Sequence, residues 1–217
     1  MPIRDDRPTA PDLSRALRTR YTRLASSAGT LSCGDAVDAA SPRPGETVID
    51  LGCGRGGDVL RAAARIAPDG LAIGVDASEA MLAAARERAS GVAAPIRFVR
   101  GDLAAVPLPD GSADVVVSSC AINHAPDKAA VYREVHRLLR PGGRFAVCDV
   151  VSERPLPEAV RRDPDAWAAC YGGAIPESEY LAEIARAGFG TVRVSRRTAP
   201  YERGGVRVLS ITVEGTR

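Results

Sequence analysis

The sequence is short of several things. Aromatic residues make up 4% of its 217 positions, with a single tryptophan, and there are two histidines and five cysteines. With 45% of the residues hydrophobic the chain should still bury a normal core, and its length suits one good-sized α/β domain. Five cysteines, an odd number without paired spacing, do not read as a disulfide framework. The cytoplasm is therefore the expected location, where thiols stay reduced. No apolar run is long enough to span a bilayer, so no membrane role is expected. The opening stretch, Met1-Pro2-Ile3-Arg4-Asp5-Asp6, lacks the apolar segment of a secretory signal. A formal net charge of +2, carried by scattered arginines, argues against a nucleic-acid partner. His124 and His136 are the only side chains whose ordinary pKa lies near neutrality, so candidates for base catalysis are few.

What the chain does have is one organising stretch, Thr47-Val48-Ile49-Asp50-Leu51-Gly52-Cys53-Gly54-Arg55-Gly56-Gly57-Asp58. A short apolar run ends in glycines, and a helical pattern follows with Val59, Leu60, Ala63 and Ala64 on one face. This is strand, tight turn and helix, the start of a βαβ unit. Glycine tolerates positive φ at such a turn and lets the backbone approach a ligand, and the helix N-terminus offers free N–H groups to an anion. By itself Gly52-x-Gly54-x-x-Gly57 also fits a dinucleotide fingerprint, with Asp76 at the right distance for a ribose, or merely a tight turn.

The rest of the chain sets the context. Residues 1–11 read as a disordered polar tail, and Asp12 as the cap of a helix to about Ser26, with Leu13, Leu17, Tyr21 and Leu24 on one face. Ala28-Gly29 ends it, and Leu31-Ser32-Cys33-Gly34-Asp35 is turn-like. Strands are expected at residues 71–76, 96–100, 113–118 and 144–150. Ser78 caps a helix through Met81, Leu82, Ala85 and Arg88. Asp127 caps another, which stops at the turn Pro141-Gly142-Gly143. Strands alternating with helices predict a doubly wound, mostly parallel sheet. The proline-broken residues 151–175, with helical pieces at 158–162 and 165–170, read as an insertion over the ligand edge. A helix at 177–187 and β-rich runs at 191–197 and 206–213 then close the sheet as an antiparallel hairpin. The division is an N-terminal helical segment with its cysteine turn, 1–45, and a main domain, 46–217.

Acid-x-Gly-x-Gly after strand one, an acid ending strand two, Gly101-Asp102 after strand three and Leu139-Arg140-Pro141-Gly142-Gly143 before strand five form a joint pattern. Over roughly residues 46–213 it resembles the class I S-adenosylmethionine-dependent methyltransferases, which have a Rossmann-like α/β fold. The resemblance implies S-adenosyl-L-methionine as cofactor, held at the carboxyl ends of the strands. It places the Gly52-Cys53-Gly54 backbone under the methionine part and Arg55 near its carboxylate. Asp76 would accept the ribose hydroxyls and Asp102 the adenine amino group, with Gly101 beside it and Leu103 and Met81 walling the ring. Ser119 would also line the site. Asp50 would either serve the cofactor or pin the glycine turn.

A closer resemblance follows from Ser118-Ser119-Cys120-Ala121-Ile122-Asn123, Cys148-Asp149-Val150-Val151, Trp167-Ala168-Ala169-Cys170-Tyr171-Gly172-Gly173-Ala174 and Leu31-Ser32-Cys33-Gly34. These stretches are similar to segments of arsenite methyltransferases. The resemblance maps the arsenic(III)-binding cysteines of that family onto Cys33, Cys120 and Cys170. Trivalent arsenic is soft and selects thiolates. Held by three of them it keeps a lone pair that can attack a sulfonium methyl without a general base, so catalysis would be mostly positioning. Cys53 and Cys148 read instead as small buried hydrophobes. Expected partners are arsenite or its thiol conjugates and a thiol reductant, glutathione or thioredoxin. The chain departs from the family in ending soon after the hairpin, in having no cysteine before Cys33, and in carrying His124 beside the methyl site. His124 keeps open a small-molecule O-, N- or C-methyltransferase using it as base. A thiol-based arsenic sensor without turnover is a third reading. His136, on a helix face, reads as solvated.

Overall fold

Parallel strands with apolar residues throughout are buried on both faces, and Thr47–Leu51 (β1) and Leu71–Asp76 (β2) show this. The computed structural model describes residues 7–27 and 35–217. It contains one eight-stranded sheet. β1 and β2 pair in parallel with each other, and with Ile96–Arg100 (β3) and Ala113–Ser119 (β4) on either side. Leu139–Ser152 (β5) continues the parallel set beside β4. Thr191–Arg197 (β6), Tyr201–Arg203 (β7) and Val206–Thr216 (β8) are antiparallel. The order is β3-β2-β1-β4-β5-β8-β6, with β7 paired to β8. This is the class I methyltransferase arrangement. The order reverses at β1, between β2 and β4, and such a switch point opens a crevice at the carboxyl ends of the strands.

Two hydrophobic cores lie on the sheet's faces, and the first includes buried aromatic rings. One joins Ile49, Leu51, Val116, Tyr132, Phe145 and Tyr180, and the other Val48, Ala62, Ala63, Ile66, Val115 and Val117. Helix Gly57–Ile66 (α3) serves the second core through Val59, Ala62, Ala63 and Ile66. The buried stripe is thus rotated from the expected one: Leu60 is only half-buried and Ala64 is exposed. Glu79–Ala89 (α4) is capped by Ser78, and Lys128–Leu138 (α5) by Asp127, as the side-chain patterns predict. Among the described residues no helix is long and apolar enough to cross a membrane.

Three local expectations are corrected. Helix Ala10–Ala25 (α1) starts before Asp12: Thr9 is its cap, accepting from the Asp12 amide, and Pro11 occupies the first turn. Proline suits that place because the amide it lacks would be unpaired there, while Asp12 favours the positive end of the helix. Residues 10 and 11 are therefore helical, not tail. A short helix, Ala36–Ala40 (α2), follows Asp35 where only a turn is expected, because Ala36, Val37 and Ala40 are buried. Pro141-Gly142-Gly143 does not terminate a helix. α5 ends at Leu138, and the three residues form a bulge inside β5, between the Ala113–Leu139 and Val115–Arg144 pairs. The bulge is fastened by bonds from Arg217 N–H to the Gly143 carbonyl and from Gly142 N–H to the Arg217 carbonyl. The expected turns at residues 28–34, Cys33 among them, lie outside the described residues.

Beyond β5 come Glu158–Arg162 (α6), Pro164–Ala168 (α7) and Glu177–Ala185 (α8). α7 stops short of Cys170, which has a left-handed backbone. α1 packs on α7 and α4, so the N-terminal helix and the 151–175 segment meet over the crevice.

Candidate active site

The crevice is a cavity of about 1100 Å³. Its floor is the glycine turn with Asp50, Asp76, Asp102, Leu103, Ser119 and Cys120, and its roof includes Leu13, Leu17 and Tyr21 of α1. The turn is built by donors and by glycine. Gly52 and Cys53 N–H both donate to the Val75 carbonyl, at 2.8 and 3.0 Å. Gly52 has φ +73, and a Cβ there would lie 2.2 Å from the Ala121 Cβ. Gly52→Ala is thus expected to destabilise the fold by about 2–4 kcal/mol, from left-handed strain plus overpacking. Chemical denaturation checks this, and an unchanged midpoint would contradict the packing described.

Asp76 holds the turn from the next strand. Its Oδ2 accepts Gly54 N–H at 2.9 Å and its Oδ1 accepts Ser78 N–H at 2.8 Å. Burial raises its pKa while those two amides oppose the shift. Pinning therefore falls to Asp76, and Asp50 makes no side-chain hydrogen bond among the described residues. Asp50 is 4% exposed, and burial, with Asp58 and Asp76 nearby, pushes its carboxyl well above the ordinary range. Asp58 in turn accepts from Ser119 Oγ at 2.8 Å and from Arg61 at 3.0 Å. Such an acidic floor favours a cation. Arg55 lines the cavity and its guanidinium donates to the Ser27 carbonyl, tying the glycine turn to the end of α1. Asp102 accepts from Ala104 N–H at 2.8 Å and, with Leu103, lines the far end. Met81 and Gly101 stand behind the lining: Met81 is fully buried, and a Cβ at Gly101 would meet Pro107.

At the other end of the cavity Cys120, His124 and Tyr21 line the wall, and Cys170 packs against these three residues. Cys120 follows β4 and Cys170 follows α7, with φ +55 and +69; Ser41 is the other non-glycine of positive φ among the described residues. Such conformations cost about 1–3 kcal/mol each and cluster at functional sites. Cys170 Sγ lies 3.6 Å from the Cys120 carbonyl, 3.4 Å from His124 Nε2 and 3.8 Å from the Tyr21 hydroxyl. Its thiol is pushed up by burial. Cys120 is disulfide-bonded, whereas Cys53, Cys148 and Cys170 are free. Cys53 and Cys148 belong to the core on the sheet's other face. Among the described residues no three His, Cys, Asp or Glu side chains are grouped to hold a metal ion.

His124 occupies the 3-10 turn Ile122–His124. Its Nδ1 is 3.0 Å from the Trp167 carbonyl, which only accepts, so Nδ1 carries the proton. Nε2 then presents a lone pair to the Tyr21 hydroxyl at 2.6 Å. Burial lowers its pKa to about 4. A histidine depressed from 6.5 stabilises the fold above pH 6.5, and that contribution is lost as pH falls toward 4, amounting to at most about 3 kcal/mol. His124→Gln should flatten stability against pH across that window; an unchanged slope would contradict the burial. His136 is half-buried against Phe189 rather than simply solvated.

Sequence reasoning did not single out Tyr21 or Asp149 as site residues. Tyr21 appears in the sequence only as one apolar position of a helix, and its hydroxyl contacts are tertiary. Asp149 lies within the buried run of β5, where burial lifts its pKa to about 6; it accepts from Asn123 N–H at 3.0 Å and Tyr180 hydroxyl at 3.3 Å. It thereby fixes the turn that carries His124.

A family model described as a methyltransferase domain matches residues 42–188. An arsenite methyltransferase of Halobacterium salinarum is 42% identical over 173 residues, 79% of this chain and 44% of the relative. An arsenite methyltransferase of Aquipseudomonas alcaligenes is 39% identical over 65% of this chain and 43% of its own length. The chain thus spans less than half the length of these relatives. Among solved structures, an arsenic(III) S-adenosylmethionine methyltransferase from Chlamydomonas reinhardtii superposes with a TM-score of 0.76 at 28% identity, covering 94% of this chain and 73% of that one.

Proposed function

The chain belongs to the methyltransferase-domain family, and from that premise we propose that it uses S-adenosylmethionine to methylate trivalent arsenic held by cysteine thiolates. The observation that carries this reading is the left-handed pair Cys120 and Cys170: Cys120 lines the cavity, and Cys170 Sγ packs against its carbonyl. The residues at the other end suit the cofactor. Asp50 stands uncompensated for an ammonium group, and Asp76 retains lone pairs for hydroxyls beyond its two amide bonds. Leu103 and Asp102 suit an adenine ring and its amino group. The bound cofactor supplies an electrophilic methyl group.

The chain's own contribution is position and exclusion of water. Two protein thiolates, with Cys33 as the third, would aim the arsenic lone pair along the cavity, and α1 covers that path. No proton is removed from the attacking atom, so His124 need not act as base; its bonds to Trp167 and Tyr21 hold the turn beside Cys170. Cys120 becomes a thiolate on reduction of its disulfide, which makes a dithiol or glutathione a co-reactant. Such a reaction belongs to arsenic detoxification and suits the cytoplasm. X-ray absorption at the arsenic edge tests the reading. Arsenite bound to the reduced protein should show only sulfur neighbours, and oxygen neighbours in the complex would refute it.

A further inference from the structure

Cys170 occupies a place where glycine is the ordinary choice. It follows α7 with φ +69, and the amides of Tyr171 and Gly172 fold back to the Ala166 carbonyl at 3.2 and 2.9 Å, which is how a left-handed residue closes a helix. That closure uses the amides after Cys170 and leaves its carbonyl over. The carbonyl is met by Asn123, whose Nδ2 lies 3.4 Å away. The same Nδ2 donates to the Val150 carbonyl at 2.6 Å, and the Asn123 N–H donates to Asp149 Oδ2 at 3.0 Å. One fully buried residue thus joins three pieces: the turn that follows Cys120, the buried run of β5 and the Cys170 loop. Both partners of Nδ2 are carbonyls, which only accept, so the amide has a single workable orientation. That orientation leaves Asn123 Oδ1 buried without a hydrogen-bond partner among the described residues. Buried polar atoms are nearly always paired, so an exception marks a place where something besides stability sets the geometry. The Cys170 loop is also pressed onto the same residue. A Cβ at Gly173 would lie 2.0 Å from the Asn123 carbonyl oxygen and 3.0 Å from the Trp167 ring, and only glycine lets the chain pass so close.

We propose that Asn123 is a positioning residue: its side-chain amide fixes the Cys170 loop on the turn after Cys120, so that the two sulfurs are set for one arsenic before it arrives. The inference rests on the arsenic-methylating reading and adds the group that holds the ligands in register. Asn123 stands behind the cavity wall and acts through Cys170. Without its amide the Cys170 loop must be ordered at the moment of binding, and the affinity for arsenic falls by the cost of that ordering.

The experiment is a double-mutant cycle on the reduced protein. Arsenite affinity is read from the single tryptophan, Trp167, and cofactor affinity by calorimetry. Asn123→Asp keeps the shape and turns the donor into an acceptor that faces two carbonyls. It should raise the arsenite dissociation constant and the KM for arsenite about tenfold, the worth of a buried carbonyl left unpaired. Affinity for S-adenosylmethionine should stay within about twofold. In a Cys170→Ser background the same substitution should cost arsenite binding less than about twofold more, because the residue it acts through is gone. Gly173→Ala pushes on Asn123 from the Cys170 side and should repeat the pattern, so it carries the cycle by itself should Asn123→Asp not fold. A tenfold loss that persists in the Cys170→Ser background, or no loss in the parent, would overturn the positioning role while leaving arsenic methylation standing. Cofactor affinity falling in step with arsenite affinity in both variants would assign the residue to the fold and overturn the role equally. Wild-type protein that binds cofactor but neither binds nor methylates arsenite would overturn the parent reading, and the positioning role with it.

Discussion

Cys120→Ser and Cys170→Ser should each abolish arsenite methylation and weaken arsenite binding by about 10²–10⁴-fold. Once one thiolate holds arsenic, the second closes an intramolecular bond whose effective concentration is worth that factor. The two cysteines reach the same place from different elements, one after β4 and one after α7, and Cys170 Sγ already contacts the Cys120 carbonyl. Because they act as a unit, the double variant should lose little more than either single variant. Cys33→Ser should cost less, since a free thiol can supply a third sulfur. Cys53→Ser and Cys148→Ser are controls, because both side chains join the core away from Cys120 and Cys170, although Cys53 also borders the cavity at the glycine turn. Serine there buries a hydroxyl and lowers stability without touching the thiolate set. The measurement is arsenite affinity and methylation rate for all five single variants and the double. Methylation by Cys120→Ser or Cys170→Ser at the wild-type rate would move the reading to a small-molecule methyltransferase using His124 as base.

Asp76→Ala should weaken S-adenosylmethionine binding at least about tenfold, because each hydrogen bond to a charged acceptor is worth about 1.5–3 kcal/mol. The effect has two sources. The carboxylate would face the ribose hydroxyls, and it also holds Gly54 N–H and Ser78 N–H in place. Asparagine cannot separate them, because it replaces one of the two accepting oxygens with a donor; denaturation of the ligand-free variant does, since a lowered midpoint assigns the effect to the turn and an unchanged one to the ligand. Calorimetric titration reads the affinity, and a wild-type dissociation constant for Asp76→Ala would remove Asp76 from the cofactor site.

Much of this fold is legible in the sequence because the parallel strands are continuous apolar runs bounded by acids and glycines. Residues 71–76 and 96–100 are strands at the expected bounds, and the first strand runs from Thr47 to the glycine turn. Side-chain caps are equally readable at Ser78 and Asp127, since a serine or aspartate before a helical pattern has a local reason to be there. What stays hidden depends on distant partners. Pro141-Gly142-Gly143 has the composition of a helix stop, and only its bonds to Arg217 at the far end of the chain make it a bulge. Asp12 looks like a cap, yet Pro11 moves the helix start to Thr9.

The site divides the same way. The turn residues and acids at strand ends follow from local spacing, and the cavity has Asp50, Asp76 and Asp102 on its floor. Met81 lies on the predicted face of α4, but that face turns toward the core. Tyr21 reaches His124 from α1, more than a hundred positions away, and the Trp167 carbonyl reaches it because α7 packs on the 122–124 turn; no local pattern encodes either contact.

The most direct measurement incubates the reduced protein with arsenite, a thiol and S-adenosylmethionine carrying a labelled methyl group, then separates arsenic species by chromatography. Label should appear in methylated arsenic in step with loss of cofactor, and should be absent when Cys170→Ser replaces the wild-type chain. Cofactor binding with no label on arsenic, under conditions where arsenite is bound by the protein, would contradict the account.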